Sequence, residues 1–382
     1  MRKVYLWTTL WSLDTCVRRS TTKKNAFGDS KSSIQRLQLL EQMVAKAWTY
    51  FEENVSTRLT SLEEDRPIWA FLFVAPEYYF ARSSNAHAIE ESDKRDIVGR
   101  LAEISRRYPR LILVPGTIAW KKPVIRPMSE IRKRDRDTKE RTGPLKLQTR
   151  YERFTARVSW SMNKGITMIP QIIDREDYRR GPNDPFDRFE LESREQEIVD
   201  RHKKMLERMA PHGRSPGCYL ARNTAYAFYG GAEVARYQKR SNHDEVFEGE
   251  SEDFVIFEPG GAPDGRGDRF EVEGLKFGIE ICLDHDYGYL RHSSQKRPDV
   301  HIVVSAEVDI VCNHVHVPEG CFLVHASSNK EITGVYDHKG NRGDMNSEDE
   351  TPGTLFYRVL RFDVDRPESD VTPDYLSEIE RY

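Results

Sequence analysis

The stretch Gly274–Gly288, GLKFGIEICLDHDYG, decides how the rest of the chain is read. Phe277, Ile279 and Ile281 alternate with Gly278, Glu280 and Cys282, the period of two expected of a strand with unlike faces. Polar residues end the strand, so Cys282 arrives at its carboxyl edge, where open α/β architectures gather their functional groups. On this alternation Glu280 shares the face of Cys282 and, as a buried acid, needs a partner. Taken alone, such a cysteine reads as a small buried hydrophobe. Two further stretches change that reading.

Ala70–Phe80, AFLFVAPEYYF, is an apolar strand that ends in Pro76 and then a lone acid, Glu77. Asn223–Lys239, NTAYAFYGGAEVARYQK, reads as strand, Gly-Gly turn and strand, with Lys239 just past the end. Alone, Glu77 is a surface carboxylate and Lys239 a hairpin-end lysine. In chain order, however, PE after an apolar strand, NTA…YxK and GxKxGIxICxD resemble the nitrilase (carbon–nitrogen hydrolase) superfamily over roughly residues 1–120 and 215–365. The cysteine block is the most specific of the three.

A thiol near its ordinary pKa is mostly protonated at neutral pH, so a cysteine nucleophile needs a neighbouring base or cation. The resemblance implies a Glu77–Lys239–Cys282 triad that forms a thioester on Cys282. In it Glu77 is the proton carrier, and Lys239 with the backbone N–H of Leu283 holds the oxyanion. It further implies a second acid after the lysine, for which Glu248 in EVFEG is the candidate with Glu245 behind it. Resemblance to the glutaminase branch accommodates Glu280. Tyr78, Tyr79 and Tyr287 fall near the expected pocket, with Tyr78 and Tyr287 the candidate substrate contacts. The motif requires no metal and no cofactor.

With 382 residues and 38% hydrophobic content, the chain can bury a full-size core, and one large α/β domain with an insertion fits better than two equal domains. A net charge of −3 argues against a dedicated nucleic-acid binder or a membrane-surface protein. The five cysteines are odd in number and contain no CxxC pair, which points to a reducing cytosol. The opening MRKVYLWTTLWSLDTC only faintly mimics a signal peptide, because Thr8, Thr9, Ser12 and Asp14 break the apolar run; it reads as the first strand. Export without a visible signal stays open. No stretch reaches the length of a membrane span.

Along the chain, apolar residues at helical spacing predict an amphipathic helix over 32–54, a strand at 68–75, a helix at 95–108 and the strand LILVPGT at 111–117. Strands follow at 223–229 and 232–238, in FVIFEPGG and RFEVEGLKFGIEIC, and at 299–306. CFLVHASSN, TGVYDHKGN and LFYRVLRFDVD read as three strands completing a second sheet. The resemblance implies a four-layer α-β-β-α sandwich built from 1–120 and 215–382. Residues 121–214 form a charged, largely helical insertion, basic over 121–150, that reads equally as a lid, a contact for an acidic partner, or a solvated excursion.

Alternation in VCNHVHV would place Cys312, His314 and His316 on one strand face, but two neighbouring histidines without a visible fourth ligand make a poor zinc site. His285 and His325 read as packing or rim residues. The leading expectation is therefore a cytosolic hydrolase of non-peptide carbon–nitrogen bonds, an amidase before a nitrilase, acting on a small amide or nitrile. The resemblance also suggests a homo-oligomer. An acyl or amide transferase, and a catalytically idle protein that binds through its basic insertion, are the rivals.

Overall fold

The computed structural model describes residues 2–15, 32–59, 68–81, 88–123, 218–241, 254–257, 267–292, 296–350 and 352–364. Strand β1 (Arg2–Ser12) and strand β2 (Ile68–Val74) are parallel neighbours, in register from Val4↔Ile68 to Leu10↔Val74. Their alternation sorts side chains by size. Tyr5, Trp7, Trp11, Trp69, Phe71 and Phe73 point to one face, while Val4, Leu6, Leu10, Ala70, Leu72 and Val74 point to the other.

The aromatic face receives helices α1 (Ser33–Leu59) and α2 (Glu91–Arg107). Leu37, Leu40, Val44, Ala47 and Phe51 of α1, and Ile97, Leu101 and Ile104 of α2, sit at helical spacing and are all buried against the sheet. Each large apolar side chain so buried contributes on the order of 2 kcal/mol. Phe51 stacks on Phe71 with centroids 5.4 Å apart. A parallel pair cannot be joined by a tight turn, and α1 supplies the crossover from β1 to β2.

The first sheet continues through β3 (Ile89–Glu90), β4 (Leu111–Val114), β5 (Thr117–Pro123), β6 (Cys218–Tyr229), β7 (Ala232–Gln238) and β8 (Phe254–Phe257). Strands β14 (Asn346–Asp349) and β15 (Thr354–Val364) complete its other edge, in the order β14-β15-β1-β2-β4-β6-β5-β3, with β7 and β8 also on β6. The second sheet has five strands in the order β13-β12-β11-β10-β9: β9 (Arg269–Val272), β10 (Leu275–Ile281), β11 (Val300–Ser305), β12 (Phe322–Ser327) and β13 (Gly334–Tyr336). Phe277, Ile279, Ile281, Val300, Ile302 and Val304 form one apolar cluster with the aliphatic face of β1 and β2, so the two sheets pack face to face.

Helix layer, first sheet and second sheet therefore stack in that order. Over the far face of the second sheet lie two four-residue helices, α3 (Leu283–Asp286) and α4 (Tyr289–His292). Gly278 allows α4 to sit directly on β10, since a Cβ there would lie 2.7 Å from Leu290 Cδ2. Among the described residues this face carries no longer helix than these, short of the helical fourth layer implied by the resemblance.

Several expectations are corrected. LFYRVLRFDVD does not complete the second sheet: β15 pairs antiparallel with β1 along its length, Arg2↔Val364 to Ser12↔Thr354, and so belongs to the first. LILVPGT divides at its Pro-Gly turn into β4 and β5. The insertion boundary at residue 121 falls inside β5, which pairs antiparallel with β6 up to Pro123↔Tyr219. The chain thus leaves and re-enters on neighbouring strands, while residues 124–217 lie outside the described residues. Cys312–His314 is a single 3-10 turn, not a strand face. No helix among the described residues is long and apolar enough to cross a membrane.

Candidate active site

Glu77 follows β2 by three residues, on a loop braced from both sides. Ala75 N donates to Val114 O at 2.9 Å and Tyr78 N to Thr117 Oγ1 at 2.8 Å. Gly116, at φ +77°, lets this loop approach so closely that a Cβ would stand 2.1 Å from Pro76 O. Ser305 O, at the end of β11 in the second sheet, accepts the N–H of Glu77 at 3.3 Å, and Thr15 Oγ1, just past β1, donates to the Glu77 carbonyl at 2.5 Å. Tyr78 takes φ +58°, an unfavourable region for a bulky residue.

The Glu77 side chain is fully buried. Its Oε1 accepts from Lys239 Nζ at 2.9 Å and Asn223 Nδ2 at 2.9 Å, and its Oε2 from Ala306 N at 3.1 Å. A carboxylate in such a place must be paired or give up its charge, and these donors supply the pairing. Tyr79 turns away from this cluster. Its hydroxyl donates to Arg36 O at 2.7 Å while Arg36 Nη1 donates to Tyr79 O at 2.6 Å, which ties the Glu77 loop to α1; Tyr79 is a brace, not a pocket residue.

Lys239 stands one residue beyond β7, held by its N–H to Asn223 O at 2.8 Å, and is itself buried. Its ammonium lies 5.7 Å from the centroid of the half-buried Tyr78 ring. The next backbone groups are gripped by Asp284, which accepts from Arg240 N at 2.9 Å, Ser241 N at 2.6 Å and Tyr237 Oη at 2.8 Å.

Cys282 is where strand alternation breaks. Its backbone still extends the ladder, with its N–H donating to Val304 O at 2.9 Å, but φ +51° and ψ −114° put it in a strained conformation for an L-residue. The turn carries its side chain out of the face of Glu280 and into the cluster between the sheets, where the buried thiol feels the charges of Glu77 and Lys239. The expectation that Glu280 and Cys282 share a face is thereby overturned. Burial pushes the thiol well up, the Glu77 charge adds to this, and the Lys239 charge opposes it. The net effect holds the sulfur as a protonated thiol.

Leu283 opens α3 directly after Cys282. Tyr287 caps α3, donating its N–H to Leu283 O at 3.0 Å, and its half-buried ring lies 5.8 Å from that of Tyr289. Glu248 lies outside the described residues.

Behind the strand, Glu280 has the partners that its burial demands. Oε2 accepts from His285 Nδ1 at 3.1 Å and His301 Nε2 at 2.8 Å, and Oε1 from Leu290 N at 2.5 Å. Burial alone would raise its pKa, but the two imidazole hydrogen bonds outweigh that and hold the carboxyl well below the usual carboxylate range. His285 is thus part of a buried network, not a rim residue.

Ligand atoms of Glu280, His285 and His301 lie within 4.8 Å of one another, the spacing of a possible metal site. Their outer nitrogens argue against one. His285 Nε2 accepts from Val311 N at 3.2 Å, and His301 Nδ1 from His316 N at 3.4 Å. Each ring therefore carries its proton on the nitrogen facing Glu280. A metal on that nitrogen would force the proton outward against a backbone N–H. His314 contributes Nδ1 to His285 O at 3.0 Å, so VCNHVHV frames the network instead of forming a metal face.

The structure thus brings Glu77, Lys239 and Cys282 to one buried cluster, with Tyr78 above the lysine. Asn223 and Asp284 were not singled out in the sequence, although both stand inside quoted motifs, NTA and ICLD. Position was legible there, whereas hydrogen-bond partners depend on pairings remote in sequence.

No family model matches the chain, and a comparison with curated proteins finds no match. Among solved structures, the chain is similar to a Nesterenkonia amidase from the nitrilase superfamily at 11% identity and TM-score 0.39, covering 94% of this chain and 90% of that one. It is also similar to a carbon–nitrogen hydrolase from Helicobacter pylori at 9% identity and TM-score 0.45, with 94% and 89% covered. A third is a glutamine-dependent NAD(+) synthetase from Cytophaga hutchinsonii, at 8% identity and TM-score 0.36, with 94% and 43% covered. Likeness at this level carries no argument about chemistry, which rests on the residues themselves.

Proposed function

We propose that this chain is a member of the nitrilase superfamily that hydrolyses a small non-peptide carbon–nitrogen bond, an amide ahead of a nitrile, through a thioester on Cys282. One observation carries the reading: a buried carboxylate, 2.9 Å from a buried ammonium, acts with burial to raise the pKa of a buried thiol at a strained strand end. No single packing requirement brings those groups together, since each is costly to bury alone.

In the first half-reaction, Glu77 takes the thiol proton as sulfur attacks the amide carbon. Lys239 and the Leu283 N–H hold the resulting oxyanion. Collapse breaks the carbon–nitrogen bond, and the proton on Glu77 passes to the departing amine. Water then gives a proton to Glu77 and attacks the thioester. The carbon–sulfur bond breaks, the acid leaves, and the proton returns to sulfur. Tyr78 forms one wall beside the lysine, and Tyr287 is the second substrate contact.

Ammonia release from a panel of small amides and nitriles tests the reading, with Cys282→Ala as control. The expected result is turnover of amides by the wild type, none by Cys282→Ala, and a fall on the order of a hundredfold or more for Lys239→Ala. Activity that survives in Cys282→Ala would remove the thioester from the mechanism. Acyl transfer to an added amine in place of water would move the chain to the transferase reading.

A further inference from the structure

We propose that Asp284 is a positioning residue whose carboxylate, carried on the same turn as Cys282, holds Lys239 in register with the thiol. This rests on the reading of Glu77, Lys239 and Cys282 as the catalytic triad. Asp284 is fully buried, and its bonds bracket the lysine along the chain: the Tyr237 hydroxyl on one side, Arg240 N and Ser241 N on the other. With the Lys239 N–H fixed to Asn223 O, the backbone at the lysine is held from two directions. An ionised carboxylate is acceptor-only and can take three donors at once. A protonated carboxyl or an amide brings a donor of its own and no negative charge, so it keeps all three contacts only if the Tyr237 hydroxyl reverses to accept, and it holds the two backbone N–H groups more weakly.

The charged and titratable groups around this carboxylate come from both packed elements. Tyr237, Lys239 and Arg240 lie at the end of β7, the Arg240 guanidinium being stacked on Tyr289 at 4.4 Å, and Glu280 precedes the turn on β10. Burial pushes the Asp284 carboxyl up to about 6, while Lys239, both backbone donors and the Tyr237 hydroxyl pull it down. Above that pH it is ionised and the clamp is closed. Below it, protonation removes the charge and replaces an acceptor with a donor, and the clamp weakens.

The test is the pH dependence of kcat and KM for wild type, Asp284→Asn and Tyr237→Phe on an amide that the wild type turns over. Asp284→Asn should lower kcat on the order of tenfold or more, leave KM within about twofold, and erase an acid limb near pH 6. Tyr237→Phe deletes a single hydroxyl whose hydrogen bond lowers the Asp284 pKa, so its acid limb should move to higher pH. Should Asp284→Asn fail to fold, Tyr237→Phe decides. A folded variant with wild-type kcat and an unmoved limb overturns the inference. Cys282→Ala separates the two levels. If it stays active, the triad reading falls; if it is inert while both other variants match wild type, only the role of Asp284 falls.

Discussion

The side-chain amide of Asn223 turns its nitrogen to Glu77, which leaves Oδ1 fully buried and without a hydrogen-bond partner among the described residues. An orphaned acceptor of this kind costs about 1–3 kcal/mol, so the geometry at Glu77 outweighs local satisfaction. Asn223→Asp should place a second carboxylate against the first, raise the pKa of the pair, and add to the rate profile an acid limb that persists when Asp284→Asn is also present; a double variant without that limb would contradict this. Glu280 gives a prediction about stability. Its carboxyl is held below the ordinary glutamate value of 4.5, so the folded state gains stability above that pH and loses it as pH falls toward the folded pKa. Glu280→Gln should therefore cost on the order of 3 kcal/mol at neutral pH. The gap from wild type should narrow in acid, as read by denaturant midpoints across pH. A constant gap would show that the charge is not what stabilises.

At the scale of elements, the loop after β2 is placed by the turn between β4 and β5. Gly116→Ala adds both a left-handed φ for a non-glycine and a clash with the Pro76 carbonyl, next to Glu77. It should destabilise by about 2 kcal/mol or more, with kcat falling even where the variant is fully folded; thermal melts beside single-turnover rates check this, and wild-type kcat in the folded variant would contradict it. Much of this layer was readable in advance. Alternation gave β10, apolar runs gave β1, β2 and β11, the Gly-Gly turn gave β7, and the helical spacing of Leu37, Leu40, Val44 and Ala47 gave α1. Two features were not readable, for physical reasons. Alternation assumes an extended backbone, and a positive φ at a cysteine, unlike one at a glycine, leaves no trace in the sequence. The sheet that β15 joins depends on pairing with β1 at the opposite end of the chain, which no local pattern encodes.

The whole molecule is what makes the cluster possible. Glu77 comes from the first sheet and is capped by Ala306 N from the end of β11, while Cys282 comes from β10 of the second sheet, so the site exists only where the two sheets close on each other. Because β5 and β6 pair directly up to Pro123↔Tyr219, the segment 124–217 can be replaced by a short turn without breaking either sheet. The shortened chain should fold with a melting temperature near that of wild type and keep turnover of the smallest amide substrates. Loss of cooperative unfolding would instead make the segment part of the core. The central claim, that Cys282 carries the acyl group, is tested most directly by peptide mass mapping of Glu77→Gln after incubation with an activated acyl ester. In this variant the Glu77 charge that raises the thiol pKa is gone while the Lys239 charge that lowers it remains, so the sulfur can attack an activated ester as thiolate without a base; the ester's leaving group needs no proton, whereas deacylation still needs the carboxylate. The account predicts a long-lived acyl addition on the Cys282 peptide, absent in Glu77→Gln/Cys282→Ala. An unmodified Cys282 beside an acylated Cys312, an exposed thiol, would contradict it.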